Sequence, residues 1–286
     1  IVIAIPSAGA SLIAELSQLA EVAGLAVMVL PPVRELFGGD VGVADIRPIS
    51  ESDLLGRHEV DTDVSSISSY VTGRRVLVTG AGGSIGSELC AQLYLFAPGQ
   101  LVMLDRDESA LHAVQLAIEG RALLDSPNLV VADLRDGERM AEIFAEHRPE
   151  VVFHAAALKH LSLLERHPSE AVKTNVFGTE TLLELALAHG VDRFVNVSTD
   201  KAADPASVLG YTKRLAERLT AAAARRATGT FLSVRFGNVL HSRGSAMGVF
   251  EAQVRAGGPI TVTDPDVTRY FMTVEEAVQL IIQAGA

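Results

Sequence analysis

Residues 76–89, which read Val76-Leu-Val-Thr-Gly80-Ala-Gly82-Gly83-Ser-Ile-Gly86-Ser-Glu-Leu89, decide the fold. The apolar run predicts a buried β-strand, the glycines predict a tight turn, and helical periodicity begins directly after the turn. Glycine is needed where a turn takes unusual backbone angles or approaches a pyrophosphate closely, and the N–H groups that begin a helix attract phosphate. The stretch therefore predicts a dinucleotide-binding turn formed by Gly80, Gly83, Ser84, Ile85 and Gly86.

An acidic residue stands where the second strand of such a fold would end. Asp105 closes the apolar run 101–105, 25 residues after Gly80. A carboxylate at this place accepts hydrogen bonds from the adenosine ribose, which favours NAD. Arg106 follows directly and would suit the 2′-phosphate of NADP, so NADP stays open. Gly86 is followed by Ser-Glu, not Lys-Ser/Thr, which excludes the phosphate loop of kinases and ATPases.

Apolar runs of strand length alternate with helical patterns through most of the chain. Eight runs predict strands: 1–5, 26–30, 75–79, 100–104, 128–132, 150–154, 193–197 and 230–235. Runs that are apolar on both faces and separated by helices indicate a parallel sheet covered on both sides. The predicted fold is therefore α/β, with a doubly wound parallel sheet.

The segment 47–72 interrupts this alternation, because it is rich in serine, aspartate and other polar residues. It predicts a linker between two domains. Residues 1–46 contain only two clear strands and are expected to be part of one α/β domain, whereas 73–286 is expected to be the nucleotide-binding domain. The chain begins inside a strand-like run at Ile1 and ends directly after a helical pattern, so we expect both ends to be cut from a longer protein.

Composition excludes several functional classes. The chain has 24 basic and 35 acidic residues and a net charge of −11, which argues against nucleic-acid binding. Its single cysteine, Cys90, excludes a disulfide framework and a cysteine-based zinc site. The eight histidines include no pair at metal-binding spacing with a third ligand, so no metal is predicted. The sequence contains neither an apolar run of about 18 residues nor a signal peptide.

Further motifs resemble the extended short-chain dehydrogenase/reductase superfamily, which implies a Rossmann-type fold. Val130-Val-Ala-Asp133-Leu134 resembles the adenine contact of that superfamily, and His154-Ala-Ala-Ala-Leu-Lys159-His160 resembles its nicotinamide loop. Three other stretches resemble, more particularly, the capsule-type polysaccharide biosynthesis proteins, which are nucleotide-sugar 4,6-dehydratases of the UDP-N-acetylglucosamine class. These are Val197-Ser-Thr-Asp-Lys201-Ala-Ala-Asp-Pro205, Val234-Arg-Phe-Gly-Asn238 and Asp266-Val-Thr-Arg269-Tyr-Phe-Met272.

The large members of this family also suggest a cellular setting. Asp53-Leu-Leu-Gly-Arg57 is similar to the linker of those members. In them, transmembrane helices and a Rossmann-like domain precede the catalytic domain. The resemblance thus implies a soluble catalytic domain at the cytoplasmic face of the membrane, held there by segments outside this chain. It implies a UDP-sugar as the substrate, and it leaves a homo-oligomer open.

The resemblance also implies the reaction. The sugar is oxidised at C4 by hydride transfer to a bound NAD, water is eliminated across C5 and C6, and the hydride returns to C6, so the enzyme is a lyase. Asp200 is implied as the acid, Lys201 as the C5 base, Thr199 as a contact of the C4 hydroxyl and Lys213 as the contact of the nicotinamide ribose. The remaining implied contacts are Asp133, Leu134, Ala155 and Ala156 to the cofactor, and Lys159, His160, Asn175, Asn238, Arg243 and Arg269 to the substrate.

One position departs from the superfamily pattern. A tyrosine usually stands four residues before the helical lysine, but Leu209 stands four before Lys213. Tyr211 lies two residues before Lys213, roughly 200° around the helix, and is predicted to face away from it. The C4 base is therefore open between Thr199, Lys213 acting through a ribose hydroxyl, and water. His241 is a second departure, because the family usually has glycine there.

Two alternatives to the dehydratase remain at this stage. A UDP-sugar 4-epimerase shares the first hydride step, but Leu209 argues against it because epimerases rely on the tyrosine. A cofactor-binding module without activity is the other, and the intact Thr199-Asp200-Lys201 set argues against it. Charged helix positions such as Glu217, Arg218, Glu275 and Glu276 are expected at the solvated surface.

Overall fold

The computed structural model describes residues 1–5, 8–30, 46–49, 53, 64–121, 123–240, 242, 244–262, 264 and 266–286. Contacts between residues divide the chain into two compact units, one formed by residues 1–59 with 271–273 and the other by 60–270 with 274–286. None of the helices in the described ranges is both long enough and apolar enough to span a membrane.

The first unit contains a small three-stranded sheet. Its elements are β1 Val2–Ile3, α1 Ala10–Val22, β2 Met28–Val29 and β3 Arg47–Pro48. β1 and β2 are parallel and β3 runs antiparallel to β2, and Ile3, Ile13 and Val29 form the core. The two strands predicted in this part of the chain are present. β3, however, lies inside the segment predicted to be a linker, because pairing with β2 is a tertiary contact that local composition does not encode.

The second unit is built on a six-stranded parallel sheet. Its strands are β4 Arg75–Thr79, β5 Gln100–Asp105, β6 Leu129–Val131, β7 Val151–His154, β8 Arg193–Val197 and β9 Thr230–Val234. Their order across the sheet is β6-β5-β4-β7-β8-β9, and every pairing is parallel. After β4 the chain adds β5 and β6 on one side of that strand, and it then continues with β7, β8 and β9 on the other side. In open α/β sheets, ligands bind at the carboxyl ends of the strands where the strand order reverses in this way, here next to β4 and β7.

Helices cover both faces of this sheet. They are α2 Val64–Val71, α3 Ser84–Leu95, α4 Glu108–Glu119, α5 Gly137–His147, α6 Leu161–Arg166, α7 Pro168–Ala171, a π-helix Val172–Gly178, α8 Thr179–Ala188, a 3-10 helix Asp200–Ala202, α9 Val208–Ala224, α10 Ala246–Arg255 and α11 Val274–Gly285. Two short strands, β10 Asn238–Val239 and β11 Phe271–Met272, complete the described elements. Val76 and Val78 point into one core and Leu77 into the other. The predicted doubly wound α/β fold is confirmed.

The C-terminal part of the predicted linker also differs from the prediction, because it forms a helix. Helix α2 lies within 47–72, and its side chains Ile67, Tyr70 and Val71 are buried in the core of the second unit. The hydroxyl of Tyr70 donates a hydrogen bond to the carbonyl of Ile282 in α11. These three residues have i, i+3, i+4 spacing, which forms one helical face, but the surrounding serines hide that pattern.

Candidate active site

The glycine turn after β4 is packed so closely that two of its positions exclude a side chain. Gly80 has φ +71°, and a Cβ added there would lie 2.6 Å from the backbone nitrogen of Ala156. A Cβ on Gly86 would overlap the carbonyl oxygen of Gly80. Helix α3 begins at Ser84, and its N-cap residue Gly83 supplies no capping side chain. The start of the helix therefore faces the turn through backbone groups alone.

Asp105, at the end of β5, reaches back to this turn. Its Oδ2 accepts the N–H of Gly82 at 2.8 Å, and its Oδ1 accepts the N–H of Asp107 at 3.0 Å. The predicted acidic residue and the predicted glycine turn are therefore joined directly. Sequence analysis gave no role to Gly82, although a Cβ there would overlap the side chain of Ala110.

The predicted adenine contacts lie at the end of the next strand. Arg106 Nη1 is 4.0 Å from Asp133 Oδ2, which also accepts Arg135 Nη2 at 2.6 Å. Hydrogen bonds and charge from Arg135 hold the pKa of the Asp133 carboxyl below its usual value. The side chain of Leu134 is 7% exposed and packs in the core on one face of the sheet, and its assignment as a cofactor contact stays a prediction. Arg135 is a neighbour of this site that sequence analysis missed.

These features fit a dinucleotide. The turn offers backbone N–H groups without side chains in the way, a helix begins at it, and a carboxylate is fixed beside it on the adjacent strand. The residues that could hold NAD are Gly80, Gly83, Ser84, Ile85, Gly86 and Asp105, with Ala155 and Ala156 packed against Gly80. Arg106 and Asp133 lie at the neighbouring strand ends.

A series of buried, hydrogen-bonded polar side chains lies next to the glycine turn and the loop 155–160 after β7, which we call the alanine loop. The hydroxyl of Thr179 donates to the carbonyl of Asn175 at 2.8 Å and therefore accepts at its oxygen from His154 Nε2, at 2.9 Å. His154 Nδ1 then accepts the hydroxyl of Thr79 at 2.7 Å. This pattern needs a neutral imidazole with its proton on Nε2. Burial, with a smaller effect from the charge of Lys213, lowers the pKa of His154 to about 3.

The structure contradicts the prediction that Asn175 contacts the substrate. Asn175 is 1% exposed, and its Oδ1 accepts the N–H of Leu158 at 2.8 Å while its Nδ2 donates to the carbonyl of Leu158 at 3.0 Å and to Thr212 Oγ1 at 3.2 Å. The amide oxygen accepts one of these hydrogen bonds and the amide nitrogen donates the other two, all within the protein. Asn175 therefore fixes the alanine loop, and its assignment as a substrate contact is wrong.

The structure brings Thr199, Asp200, Lys201 and Asn238 together at the carboxyl end of β8. Thr199 Oγ1 donates to Asp200 Oδ1 at 2.9 Å, and Lys201 Nζ donates to the same oxygen at 3.0 Å. Lys201 Nζ also donates to Asn238 Oδ1 at 2.7 Å. Among the described residues, no hydrogen bond reaches Asp200 Oδ2. One carboxylate oxygen is thus left for a ligand.

The charges of this group follow from its contacts. Burial alone would raise the pKa of the Asp200 carboxyl, but the hydrogen bonds from Lys201 and Thr199 outweigh burial and hold it below the ordinary value. Both side chains are about one third exposed, so the pair is only partly screened from water. Asp200 is therefore a carboxylate and Lys201 an ammonium before a ligand covers them.

Lys213 is buried beside this group. It is 6% exposed, and its ammonium donates a hydrogen bond to the carbonyl of Val197 at the end of β8. Burial lowers the pKa of Lys213 to about 8. Leu209 is 7% exposed and packs with Leu164, whereas Tyr211 is 56% exposed. The prediction that Tyr211 faces away from Lys213 is confirmed, so no phenol stands beside the lysine.

Sequence analysis missed a second polar group at the same strand ends. Ser198 Oγ donates to Glu217 Oε1 at 2.7 Å, and Arg235 donates to both oxygens of Glu217, at 2.7 and 2.6 Å. Glu217 was expected at the solvated surface, and that expectation is wrong. Glu276 is likewise buried. Glu217 follows Lys213 by one helical turn, and this spacing was the signal available in the sequence.

The remaining predicted substrate contacts lie around this centre or outside the described residues. Lys159 and His160, at the end of the alanine loop, are exposed. The ring of His160 packs against Gly244, and a Cβ added to Gly244 would lie 2.6 Å from Cε1 of that ring. Arg269 is exposed, and the carbonyl of the next residue, Tyr270, accepts the N–H of Asn238 at 2.8 Å. His241 and Arg243 lie outside the described residues. No cluster of metal-binding side chains occurs within the described ranges.

Comparison with known proteins finds a matching family and several relatives. The model of a family described as "Polysaccharide biosynthesis protein" matches residues 76–286. The chain is 42% identical to "Probable polysaccharide biosynthesis protein EpsC" of Bacillus subtilis (strain 168). It is 40% identical to "Capsular polysaccharide biosynthesis protein CapD" of Staphylococcus aureus. Each alignment of 290 residues includes the whole chain and 48% of the relative. The chain thus spans about half the length of these relatives. It is also 44% identical, over 76% of its length and 65% of the relative, to "Uncharacterized membrane protein MJ1061" of Methanocaldococcus jannaschii.

Solved structures have the same fold. Pen from Bacillus thuringiensis is 35% identical with a TM-score of 0.69, covering 75% of this chain and 66% of that one. A UDP-glucose-4-epimerase from Stenotrophomonas maltophila, solved with bound NAD and formylated UDP-arabinopyranose, is 28% identical with a TM-score of 0.58, covering 72% of this chain and 71% of that one. DesIV, a dTDP-glucose 4,6-dehydratase from Streptomyces venezuelae, is 23% identical with a TM-score of 0.63, covering 72% of this chain and 70% of that one, a likeness of fold alone.

Proposed function

Since the chain belongs to the polysaccharide biosynthesis protein family, we propose that it is the catalytic part of an NAD-dependent nucleotide-sugar 4,6-dehydratase. The proposed substrate is a UDP-sugar of the UDP-N-acetylglucosamine class, and the enzyme is a lyase that supplies precursors for surface polysaccharide. The observation that carries this proposal is the hydrogen-bonded group of Thr199, Asp200 and Lys201 beside Asn238.

The group supplies what an elimination requires. NAD, when bound, accepts the hydride from C4 of the sugar and later returns it to C6. The oxidised sugar has an acidic C5 proton, which a neutral Lys201 amine removes, while a protonated Asp200 donates its proton to the departing C6 hydroxyl. The departing water carries away the C6 hydroxyl and the proton from Asp200. When the hydride returns to C6, the Lys201 ammonium gives its proton back to C5. The proton released from the C4 hydroxyl during the oxidation replaces, through solvent, the one given by Asp200, so the group is reset after each turnover.

The contacts also explain how these protonation states arise. Before a sugar binds, Asp200 is a carboxylate and Lys201 an ammonium, which is the reverse of what the elimination needs. A proton that crosses the 3.0 Å hydrogen bond between them produces the neutral pair. Covering the pair with the sugar removes water and disfavours separated charges, so substrate binding shifts the pair towards the neutral form.

Two observations support NAD as the cofactor. The carboxylate of Asp105 is fixed beside the glycine turn, where it can accept the ribose hydroxyls of NAD. The epimerase from Stenotrophomonas maltophila, 28% identical to this chain, was solved with NAD. Arg106 is exposed, and its Nη1 lies 4.0 Å from Oδ2 of Asp133, which Arg135 already binds at 2.6 Å. We therefore propose NAD over NADP.

A UDP-sugar 4-epimerase is the second candidate function, because that same structure is an epimerase. The buried Leu209 argues against it, since an epimerase of this superfamily relies on a tyrosine at that position. The proposed setting is the cytoplasmic face of the membrane, reached through parts of the protein outside this chain. The likeness to a membrane protein of Methanocaldococcus jannaschii supports that setting.

A mass-spectrometric assay with UDP-N-acetylglucosamine and NAD tests the proposed function. We expect a product lighter by one water, and we expect Asp200→Asn or Lys201→Met to reduce kcat by about 100-fold or more. The matched control is Lys173→Met, because Lys173 forms only an exposed pair with Glu170. An isobaric product would identify the epimerase. Full turnover by the Asp200 and Lys201 variants would refute the assigned chemistry.

A further inference from the structure

The carboxylate of Glu217, on helix α9, contacts three polar side chains. Ser198 Oγ and Arg235 Nε both donate to Oε1 at 2.7 Å, and Arg235 Nη2 donates to Oε2 at 2.6 Å. Arg214 Nη1 lies 3.4 Å from Oε2. The side chain of Glu217 is only 11% exposed. Removing water from such a carboxylate is costly, so these donors have to replace the lost hydration.

The partners of Glu217 connect three parts of the site. Ser198 directly precedes Thr199 at the end of β8, and its N–H bonds the carbonyl of Val234 at 2.7 Å. Arg235 follows β9 and stands three residues before Asn238 in the sequence. Glu217 itself lies one turn after Lys213 on α9. One carboxylate thus ties the ends of two adjacent strands to the helix that carries the buried lysine.

The buried ammonium of Lys213 needs a counter-charge. Its hydrogen bond goes to the neutral carbonyl of Val197. Of the titratable groups on the elements that pack around it, His154 on β7 is neutral and Asp200 is paired with Lys201. Glu217 is paired with Arg235 beyond β9 and with Arg214 on the same helix, and its Ser198 partner directly follows Val197, whose carbonyl accepts the Lys213 hydrogen bond. Glu217 is the acidic group one turn away on its own helix. An ammonium without a nearby anion would be strongly disfavoured at this depth.

We propose that Glu217 is a positioning residue of the site, whose carboxylate supplies the counter-charge for the buried Lys213 ammonium and fixes Ser198 and Arg235 beside it. Burial lowers the pKa of Lys213, whereas the negative charge of Glu217 raises it, as expected for an anion near the ammonium. The contact of Lys213 with the nicotinamide ribose rests on the proposed function, but its relation to Glu217 does not.

The chain is well suited to a direct test, because it contains only four lysines: Lys159, Lys173, Lys201 and Lys213. Protein labelled with 13C at the lysine ε carbon gives four NMR signals, which single lysine-to-arginine variants assign. We expect the Lys213 signal of the unaltered chain to titrate with a midpoint about 8. In Glu217→Gln the midpoint should fall by about one pH unit, because the amide keeps the shape but loses the charge.

A purely structural role for Glu217 predicts the opposite direction. Loosening the strand ends would admit water and raise the Lys213 midpoint towards the ordinary value of lysine. Glu184→Gln is the matched control, since Glu184 forms an exposed two-bond pair with Arg226, at 2.6 and 2.8 Å. This control should leave the Lys213 midpoint unchanged. An unchanged or raised midpoint in Glu217→Gln would overturn the proposal.

Two arginine variants keep the test decisive if Glu217→Gln does not fold. Arg235→Gln removes a cation beside Glu217 and should raise the Lys213 midpoint, whereas Arg235→Lys keeps the charge and should leave it near that of the unaltered chain. Equal rises in both variants would indicate loosening and overturn the proposal. The titration needs neither NAD nor a sugar, so a chain without turnover would contradict the proposed function without affecting this result.

Discussion

Lysine and arginine have different tasks in this chain. It contains four lysines and 20 arginines, and three of the lysines, Lys159, Lys201 and Lys213, lie in the motifs of the site. Arginines form surface pairs such as Arg226 with Glu184. The chemical difference explains this division, because a lysine can lose its proton in a buried place and an arginine cannot. Between these two residue types, only a lysine can act as a base at the proposed site.

The neutral His154 makes a testable contribution to acid stability. Its pKa is about 3 in the folded chain and near 6.5 in the unfolded chain, so the unfolded state binds the extra proton between those values. Stability from this group is complete above about pH 6.5 and is lost as the pH falls, at about 1.4 kcal/mol per pH unit. Between about pH 7.5 and about pH 5 the loss is about 2 kcal/mol.

Urea unfolding of His154→Gln at these two pH values measures that contribution. The variant should be less stable than the unaltered chain at the higher pH, because the buried chain of hydrogen bonds through Thr79 and Thr179 is disturbed. It should, however, lose about 2 kcal/mol less on acidification. His112→Gln, at an exposed position, is the control and should retain the full acid dependence. An equal loss in all three proteins would contradict a buried neutral imidazole.

At the scale of elements, the glycine turn is held between a strand, a helix and a loop. Thr79 links β4 to His154 on β7, and Gly80 packs against the alanine loop. The π-helix Val172–Gly178 contributes Asn175, which holds the other end of that loop. A π-helical segment is uncommon and often marks a functional site. These contacts give the cofactor region a fixed shape before any ligand binds.

Gly86→Ala should disrupt this arrangement, because the added Cβ would overlap the carbonyl oxygen of Gly80. We expect a loss of about 3 kcal/mol in the free energy of unfolding and at least about tenfold weaker NAD binding by calorimetry. Gly137→Ala is the matched helical control, since its nearest neighbour, Thr181 Cγ2, would lie at 3.8 Å. That variant should be neutral or up to about 1 kcal/mol more stable. Unchanged NAD binding by Gly86→Ala would count against the turn as the cofactor site.

At the scale of the whole molecule, every group of the proposed site lies in the second unit. The glycine turn, the alanine loop, Lys201 and Lys213 all fall between residues 60 and 270. That unit also has two cores of its own, one on each face of its sheet. The first unit has a separate small core around Ile13. The proposed binding of NAD therefore does not depend on residues of the first unit.

Removing residues 1–59 tests this independence. The remaining chain, 60–286, should fold and bind NAD with a dissociation constant within about twofold of that of the full chain, measured by calorimetry. Circular dichroism provides the check on folding. An affinity weaker by tenfold or more in a folded fragment would place part of the binding energy in the first unit.

The sequence alone determined the main sheet of this protein. Buried strands separated by amphipathic helices have local signatures, and all six strands predicted between residues 75 and 235 are present. The glycine turn and Asp105 were also readable, because phosphate and ribose binding restrict the residue types at fixed spacing, whereas Thr199, Asp200 and Lys201 were assigned through the family resemblance. Even the orientation of Tyr211 followed from helical geometry.

Only the tertiary structure decided which polar residues work together. The helical spacing of Glu217 from Lys213 did not identify its partners, and the roles of Glu217 and Asn175 arise from partners far along the chain, at Ser198, Arg235 and Leu158. Helix α2 was hidden for the same reason, since its few apolar residues need the core of the second unit to bury them. Local patterns report the periodicity of one segment, whereas burial and charge pairing depend on which distant segments meet.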